Sequence, residues 1–220
     1  MNTMLLGLAL GLGMLGLGGI PLQAQPLTRA QVIEIPEAPV FWAQPPVPEA
    51  AATVGTQVQT GGYLRTQRPG KAQVRLHDGV MFRLGGDALL EITDGDLNLQ
   101  QGQIIAWADP GTPGSRRRIQ TPLATAAIRS STVFIEQMET GSRIFSWAGE
   151  VEIYPAEGGD PVILAAGEEL VLKPDMTQLP TPQKMSRADL EARFAQSDLL
   201  NGFESAMSTL DTIREELLSP

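Results

Sequence analysis

Ala72-Gln73-Val74-Arg75-Leu76-His77-Asp78-Gly79-Val80-Met81-Phe82-Arg83-Leu84 is the stretch that decides the fold. Apolar and polar residues alternate on both sides of His77-Asp78-Gly79, which is the period of a half-buried strand. A two-residue Asp78-Gly79 turn would pair Leu76 with Met81 and set Arg75 opposite Phe82, mixing the two faces. A three-residue loop pairs Leu76 with Val80 and Val74 with Phe82, and one apolar face survives. Such loops place glycine at the left-handed position of a G1 bulge, where Gly79 stands. His77 therefore belongs to a turn and is expected in solvent.

The next hairpin follows the other rule. Leu90 and Ile92 must face Leu99 and Leu97, and a two-residue Asp94-Gly95 turn of type I′ achieves this. Asp94-x-Asp96-x-Asn98 is not a calcium loop, because Leu99 and Ile105 stand where an EF-hand needs glycine and glutamate. Further strands are predicted at Gln103–Trp107, Arg118–Thr121, Ala126–Gln137, Arg143–Trp147, Glu150–Tyr154, Pro161–Leu164 and Glu169–Leu172. Turn signals separate them at Pro110-Gly111, Gly141-Ser142, Gly158-Gly159 and Ala166-Gly167-Glu168. Residues 53–174 thus read as one all-β domain, long enough to bury an independent core.

The flanks differ. Residues 25–52 are proline-rich and read as an extended linker. Its Phe41-Trp42 pair either packs on the body or forms an exposed aromatic docking site. Residues 1–24 are apolar, uncharged from Thr3 to Leu22, and end in Leu22-Gln23-Ala24. They read as a signal peptide cut between Ala24 and Gln25, so the protein is expected in the periplasm. A retained membrane anchor is the alternative. Gly11-Leu12-Gly13-Met14-Leu15-Gly16 matches G-x-G-x-x-G but lacks a preceding strand, so it is no dinucleotide site.

Residues 175–220 read as a linker and an amphipathic helical tail. Ser186 and Asp189 form a helix start, and Leu190, Phe194, Phe203, Met207, Leu210 and Leu217 trace an apolar stripe. Asn201-Gly202 interrupts it. The stripe either packs on the β body or is offered to a partner.

Composition narrows the function. The chain has 220 residues, no cysteine, a single histidine and a net charge of −9. Disulfides, thiolate metal sites and a two-histidine metal site are excluded, and the acidic balance argues against nucleic-acid binding. Neither G-x-S-x-G nor a phosphate-cradling G-x-x-x-x-G-K-[ST] occurs. Glu150 and Glu152 share a strand face and read as solvated. The sequence points to a non-enzyme without cofactor, with an enzyme of unrecognised site as the further alternative. Arg116-Arg117-Arg118 is the strongest local charge feature, either a solvated loop or a contact for an acidic protein face or polyanion.

Ordered fragments along the body resemble the FecR domain. They are Gln57-Val58-Gln59-Thr60, Ala72–Val80 with Phe82-Arg83-Leu84, Leu97–Gly102, Ile119-Gln120-Thr121-Pro122-Leu123-Ala124, Ile128-Arg129, Gly149-Glu150-Val151-Glu152-Ile153 and Ala166-Gly167-Glu168. The motif residues are Asp78, Gly79, Asp94, Gly95, Thr121, Pro122, Arg129, Gly149 and Gly167. Arg129-Ser130-Ser131 stands where the family has Arg-Gly-Thr, so the local backbone is expected to differ. The resemblance implies an exported all-β domain, a β-sandwich or short β-solenoid of many strands, that binds an envelope protein or ligand. In well-known members such a domain signals through a membrane helix to an anti-sigma segment. Here that segment and a second hydrophobic span are missing, and a membrane-anchored relay remains the alternative role.

Overall fold

A computed structural model of the chain describes residues 29–108 and 117–219. The leader, its Ala24–Gln25 junction, Pro110-Gly111 and Arg116 lie outside the described residues. In chain order the strands begin with β1 (Arg29–Glu37), β2 (Val40–Ala43), β3 (Ala50–Ala51), β4 (Gln57–Gln59), β5 (Tyr63–Thr66) and β6 (Lys71–Leu76). The long central pair is β7 (Met81–Ile92) and β8 (Asp96–Trp107). Next come β9 (Arg117–Gln120), β10 (Ala124–Ile128), β11 (Thr132–Met138), β12 (Gly141–Ala148) and β13 (Val151–Pro155). The sheet ends with β14 (Val162–Leu164), β15 (Glu168–Leu172) and β16 (Gln183–Lys184), followed by helices α1 (Arg187–Gln196), α2 (Asp198–Asn201) and α3 (Leu210–Leu218).

All the strands belong to one sheet that folds over itself along β7 and β8. The start of β7 pairs β6 (Val74↔Phe82) and its end pairs β5 (Tyr63↔Glu91). The start of β8 runs parallel to β9 (Leu97↔Ile119), and its end pairs β11 antiparallel (Ile104↔Ile135). The partners change where register breaks: Gly85 faces Gln103 and Leu89 faces Gln101, leaving Gly86, Asp87 and Ala88 opposite Gly102 alone. A bulge of this size bends the strand. Gly102 has φ +86°, and a Cβ there would lie 2.3 Å from the Ala88 Cα, so the bend requires glycine.

The two arms enclose one core. Val74, Phe82, Leu84, Ile104, Ile135 and Ile144 of the first arm share a cluster with Leu64, Leu90, Ile92, Leu97, Ile119 and Ile153 of the second. The expected all-β domain is therefore a sandwich-like folded sheet. On the first arm the opposite face is buried as well: Ile105, Trp107, Phe145 and Trp147 pack under tail residues Leu190, Leu199, Leu200, Met207, Ile213 and Leu217. Burial on both faces explains the unbroken apolar run Ile104-Ile105-Ala106-Trp107. Each large tail side chain so buried contributes roughly 1.5–3 kcal/mol.

Both hairpin registers read from the sequence are present. Val74 pairs Phe82, Ala72 pairs Leu84, and Gly79 adopts φ +91° beside an exposed His77. Ile92 pairs Leu97 and Leu90 pairs Leu99. The type I′ expectation fails: Gly95 has φ +84°, but Asp87 is the sole non-glycine residue of positive φ among those described, so Asp94 is not left-handed.

Other expectations are corrected. Residues 25–52 are not simply a linker, since β1 pairs β4 and β6, and β2 pairs β3 and β5. Pro36 falls near the end of β1, and Pro39, Pro45, Pro46 and Pro48 lie between strands, where a missing N–H costs little. The Ala126–Gln137 strand splits at Arg129-Ser130-Ser131 into β10 and β11. Ser130 makes that bend without a left-handed backbone. The tail is three short helices, with Phe203 and Met207 in the irregular stretch between α2 and α3. Ser186 caps α1 as expected, accepting the Asp189 amide and donating to its carboxylate.

Candidate interaction face

The second arm turns a polar face outward. Strand alternation sends Ile119 into the core and Arg118 and Gln120 out, and the registers carry this across the sheet. One row runs Tyr63, Glu91, Asn98, Gln120, Thr125, Tyr154. The next runs Asp96, Arg118, Ala127, Glu152, Ile163. The sheet residues under the tail belong to the first arm, whereas this face presents half-exposed polar side chains.

Asp96 organises its centre. Its buried carboxylate accepts Arg118 Nη2 at 2.9 Å, Arg118 Nε at 3.1 Å and Gln120 Nε2 at 2.9 Å. This charge-assisted fork holds the Arg118 guanidinium above its ordinary pKa, first through the hydrogen bond to Asp96 and then through its charge. Arg118 still leaves 57% of its side chain in solvent. The Tyr154 hydroxyl donates to Glu152 Oε2 at 2.5 Å. A hollow of about 650 Å³ lies between Asp94, Asp96, Arg118, Thr125 and Tyr154. A second, about 370 Å³, lies by Arg129, Ser130, Glu150, Glu152 and Ile163.

The residues singled out in the sequence divide between this face and the interior. Phe41 lies opposite Arg65, whose guanidinium sits 4.3 Å from the ring centroid and pairs with Glu49 at 2.5 Å. The Arg65 hydrogen bond holds Glu49 below the usual carboxylate range against the opposing effect of burial. Trp42 alternates inward and packs on the core. Arg117 also points inward, 6% exposed, with an ion pair to Asp78 and a hydrogen bond to the Gly95 carbonyl. It is neither a solvated loop residue nor an open contact, because its charge ties together the two Asp-Gly turns. Phe41 and Arg118 thus share the outer face while Trp42 and Arg117 do not.

The remaining motif residues lie at turns. Thr121 closes the β9–β10 turn beside exposed Pro122, its Oγ1 accepting the amides of Leu123 and Ala124. Gly149 sits against the Ser130 carbonyl, and Gly167 lies in the turn before β15. Reading the sequence alone missed the rows of Glu91, Asn98, Gln120, Thr125 and Tyr154. Their alternation was visible, but the strand order that aligns them was not. Among the described residues no three His, Asp or Glu side chains converge as a metal set, and no helix is long and apolar enough to cross a membrane.

A solved structure titled a "putative anti-sigma factor" from Parabacteroides distasonis superposes with TM-score 0.50 at 15% identity, covering 61% of this chain and 64% of that one. A second structure of the same title and organism gives TM-score 0.45 at 14% identity, covering 56% and 60%. The chain therefore spans under two thirds of the length of these neighbours. No curated protein matches. At the level of sequence, the strand-rich body of this chain, over residues 62–152, matches the FecR protein family.

Proposed function

We propose that this chain is an exported, non-enzymatic interaction module with a FecR-type signalling role, and that it engages an envelope protein through the outer face of its second arm. The observation that carries the reading is the contrast between the two outer faces. One is apolar and covered by the chain's own tail, while the other is polar, open and organised around Asp96 and Arg118. The FecR match supports the signalling role. The anti-sigma title of the solved neighbour agrees with it. Protein interfaces use such arginine-centred, aromatic-flanked polar surfaces for steering and register.

Two measurements test the reading. A photo-crosslinking residue at Thr125 or Gln120 is expected to give a discrete protein adduct in the envelope fraction, and one at exposed Val54 is not. Equal labelling at both positions, or none, overturns the docking face. Mapping the mature N-terminus is expected to find Gln25 on the extracytoplasmic side. An intact chain recovered from the cytosol overturns export, whereas an intact chain held in the membrane gives the anchored relay.

A further inference from the structure

Arg83 is buried beneath the tail on the covered face of the first arm. This side chain is 1% exposed, yet none of its four hydrogen bonds goes to a carboxylate. Nε donates to the Gln73 side-chain oxygen at 2.7 Å. Nη1 donates to the main-chain carbonyls of Leu199 and Leu200 at 2.8 and 3.0 Å, and Nη2 to that of Ser205 at 2.6 Å. Phe203 stacks over the guanidinium at 4.3 Å, and the Trp107 ring lies 5.5 Å away. Burial pushes the guanidinium pKa down to about 10, opposed by the charge of Glu34.

Glu34 reads the same segment from the other side. Its carboxylate accepts the amides of Glu204 at 2.7 Å and Ser205 at 3.0 Å. Trp107 Nε1 donates to the Ser208 hydroxyl at 3.0 Å, and the Lys71 ammonium stands 4.0 Å from the Asp198 carboxylate. Arg83 and Glu34 together therefore bind three main-chain carbonyls and two amides of residues 199–205. From side chains the body takes the buried Leu199 and Leu200 and the Phe203 ring, while Asp198 and Glu204 lie at the exposed edge. Main-chain hydrogen bonds combined with a few apolar anchors are the mode in which a peptide is bound. The segment lies outside the family match at 62–152, and residues 202–209 form no regular helix. Releasing it lets water replace the peptide carbonyls on Arg83 and the peptide amides on the half-exposed Glu34.

We propose that Glu34, Gln73, Arg83 and Trp107 form a peptide-binding slot, occupied here by the chain's own residues 199–205. Its ligand in trans is a peptide turn of the same chemistry, presenting free carbonyls to the guanidinium, an aromatic ring above it and acidic residues beside it. The tail is the resident such a peptide displaces.

The test uses the full chain and a fluorescein-labelled peptide of residues 197–208. Phe203→Ala in the chain removes the ring from the resident but leaves the slot intact. Met207→Ala is a second opener, acting beside the slot. Either variant is expected to bind the peptide at least tenfold more tightly than the unmodified chain does. Adding Glu34→Gln to the opened chain, or replacing Phe203 in the peptide, is expected to remove that gain. Hydrogen exchange at residues 199–205 reports whether the resident has loosened. Peptide binding that fails to exceed the unmodified chain in both openers overturns the proposal, as does a gain indifferent to Glu34→Gln.

Discussion

The Arg117 guanidinium is ion-paired with Asp78, their side chains 7% and 13% exposed, and the same guanidinium donates to the Gly95 carbonyl. Asp78 also accepts the Val80 amide at 3.2 Å, so one carboxylate closes its own turn and anchors β9. Removing one member of a buried pair strands the other charge, which costs about 3–5 kcal/mol. Asp78→Ala is expected to lower unfolding free energy in urea by that amount. The double change Asp78→Ala with Arg117→Met is expected to recover part of it.

Arg118, the next residue, behaves differently. Its side chain is 57% exposed, and the buried Asp96 carboxylate keeps the Gln120 hydrogen bond when Arg118 is removed. The loss is therefore expected nearer the ~0–1 kcal/mol of an exposed pair than the ~3–5 kcal/mol of a buried one. Arg118→Ala is expected to shift the urea midpoint only slightly while weakening partner capture on the polar face. A stability loss matching that of Asp78→Ala would contradict the outward placement of this side chain.

The bend joining the arms depends on Gly102. A methyl group there meets the Ala88 backbone at 2.3 Å in a left-handed conformation, whereas Gly158 at φ +85° has nothing within 4 Å. Gly158→Ala is expected to cost about 1–2 kcal/mol from the backbone alone, and Gly102→Ala clearly more. Comparing both variants by thermal unfolding checks the order.

Acid is expected to loosen the tail at Glu34. Burial pushes the Glu34 carboxyl up, but the Ser205 hydroxyl and the amides of Glu204 and Ser205 outweigh it, leaving the group below its ordinary value of 4.5. A carboxyl whose pKa falls on folding stabilises the native state above the unfolded value, and that contribution is lost as pH drops through the folded value. Exchange at the Glu204 and Ser205 amides, corrected for the intrinsic pH effect, is expected to accelerate as pH falls below the ordinary carboxyl value of 4.5. Glu34→Gln is expected to abolish the pH step, and a step that persists in that variant would assign it to another group.

Local chemistry made much of the fold legible. Alternation around His77-Asp78-Gly79 and Asp94-Gly95 determined two registers, because slipping by one residue turns every apolar side chain to the wrong face. Ser186 and Asp189 marked a helix start for the same kind of reason, a cap whose hydrogen bonds span three residues. What only the tertiary structure decided depends on residues far apart in the chain. The prolines of residues 25–52 hid β1 and β2, whose strands are stabilised by pairing with β4, β5 and β6 and not by their own propensity. Arg117 and Arg118 look alike in sequence, and only the pleat of β9 sends one inward to Asp78 and the other out beside Asp96. Arg83 reads as an ordinary strand arginine until Leu199, Leu200 and Ser205, more than 110 residues later, bring their carbonyls to it. Patterns of period two record which face a residue occupies, but not what will cover that face.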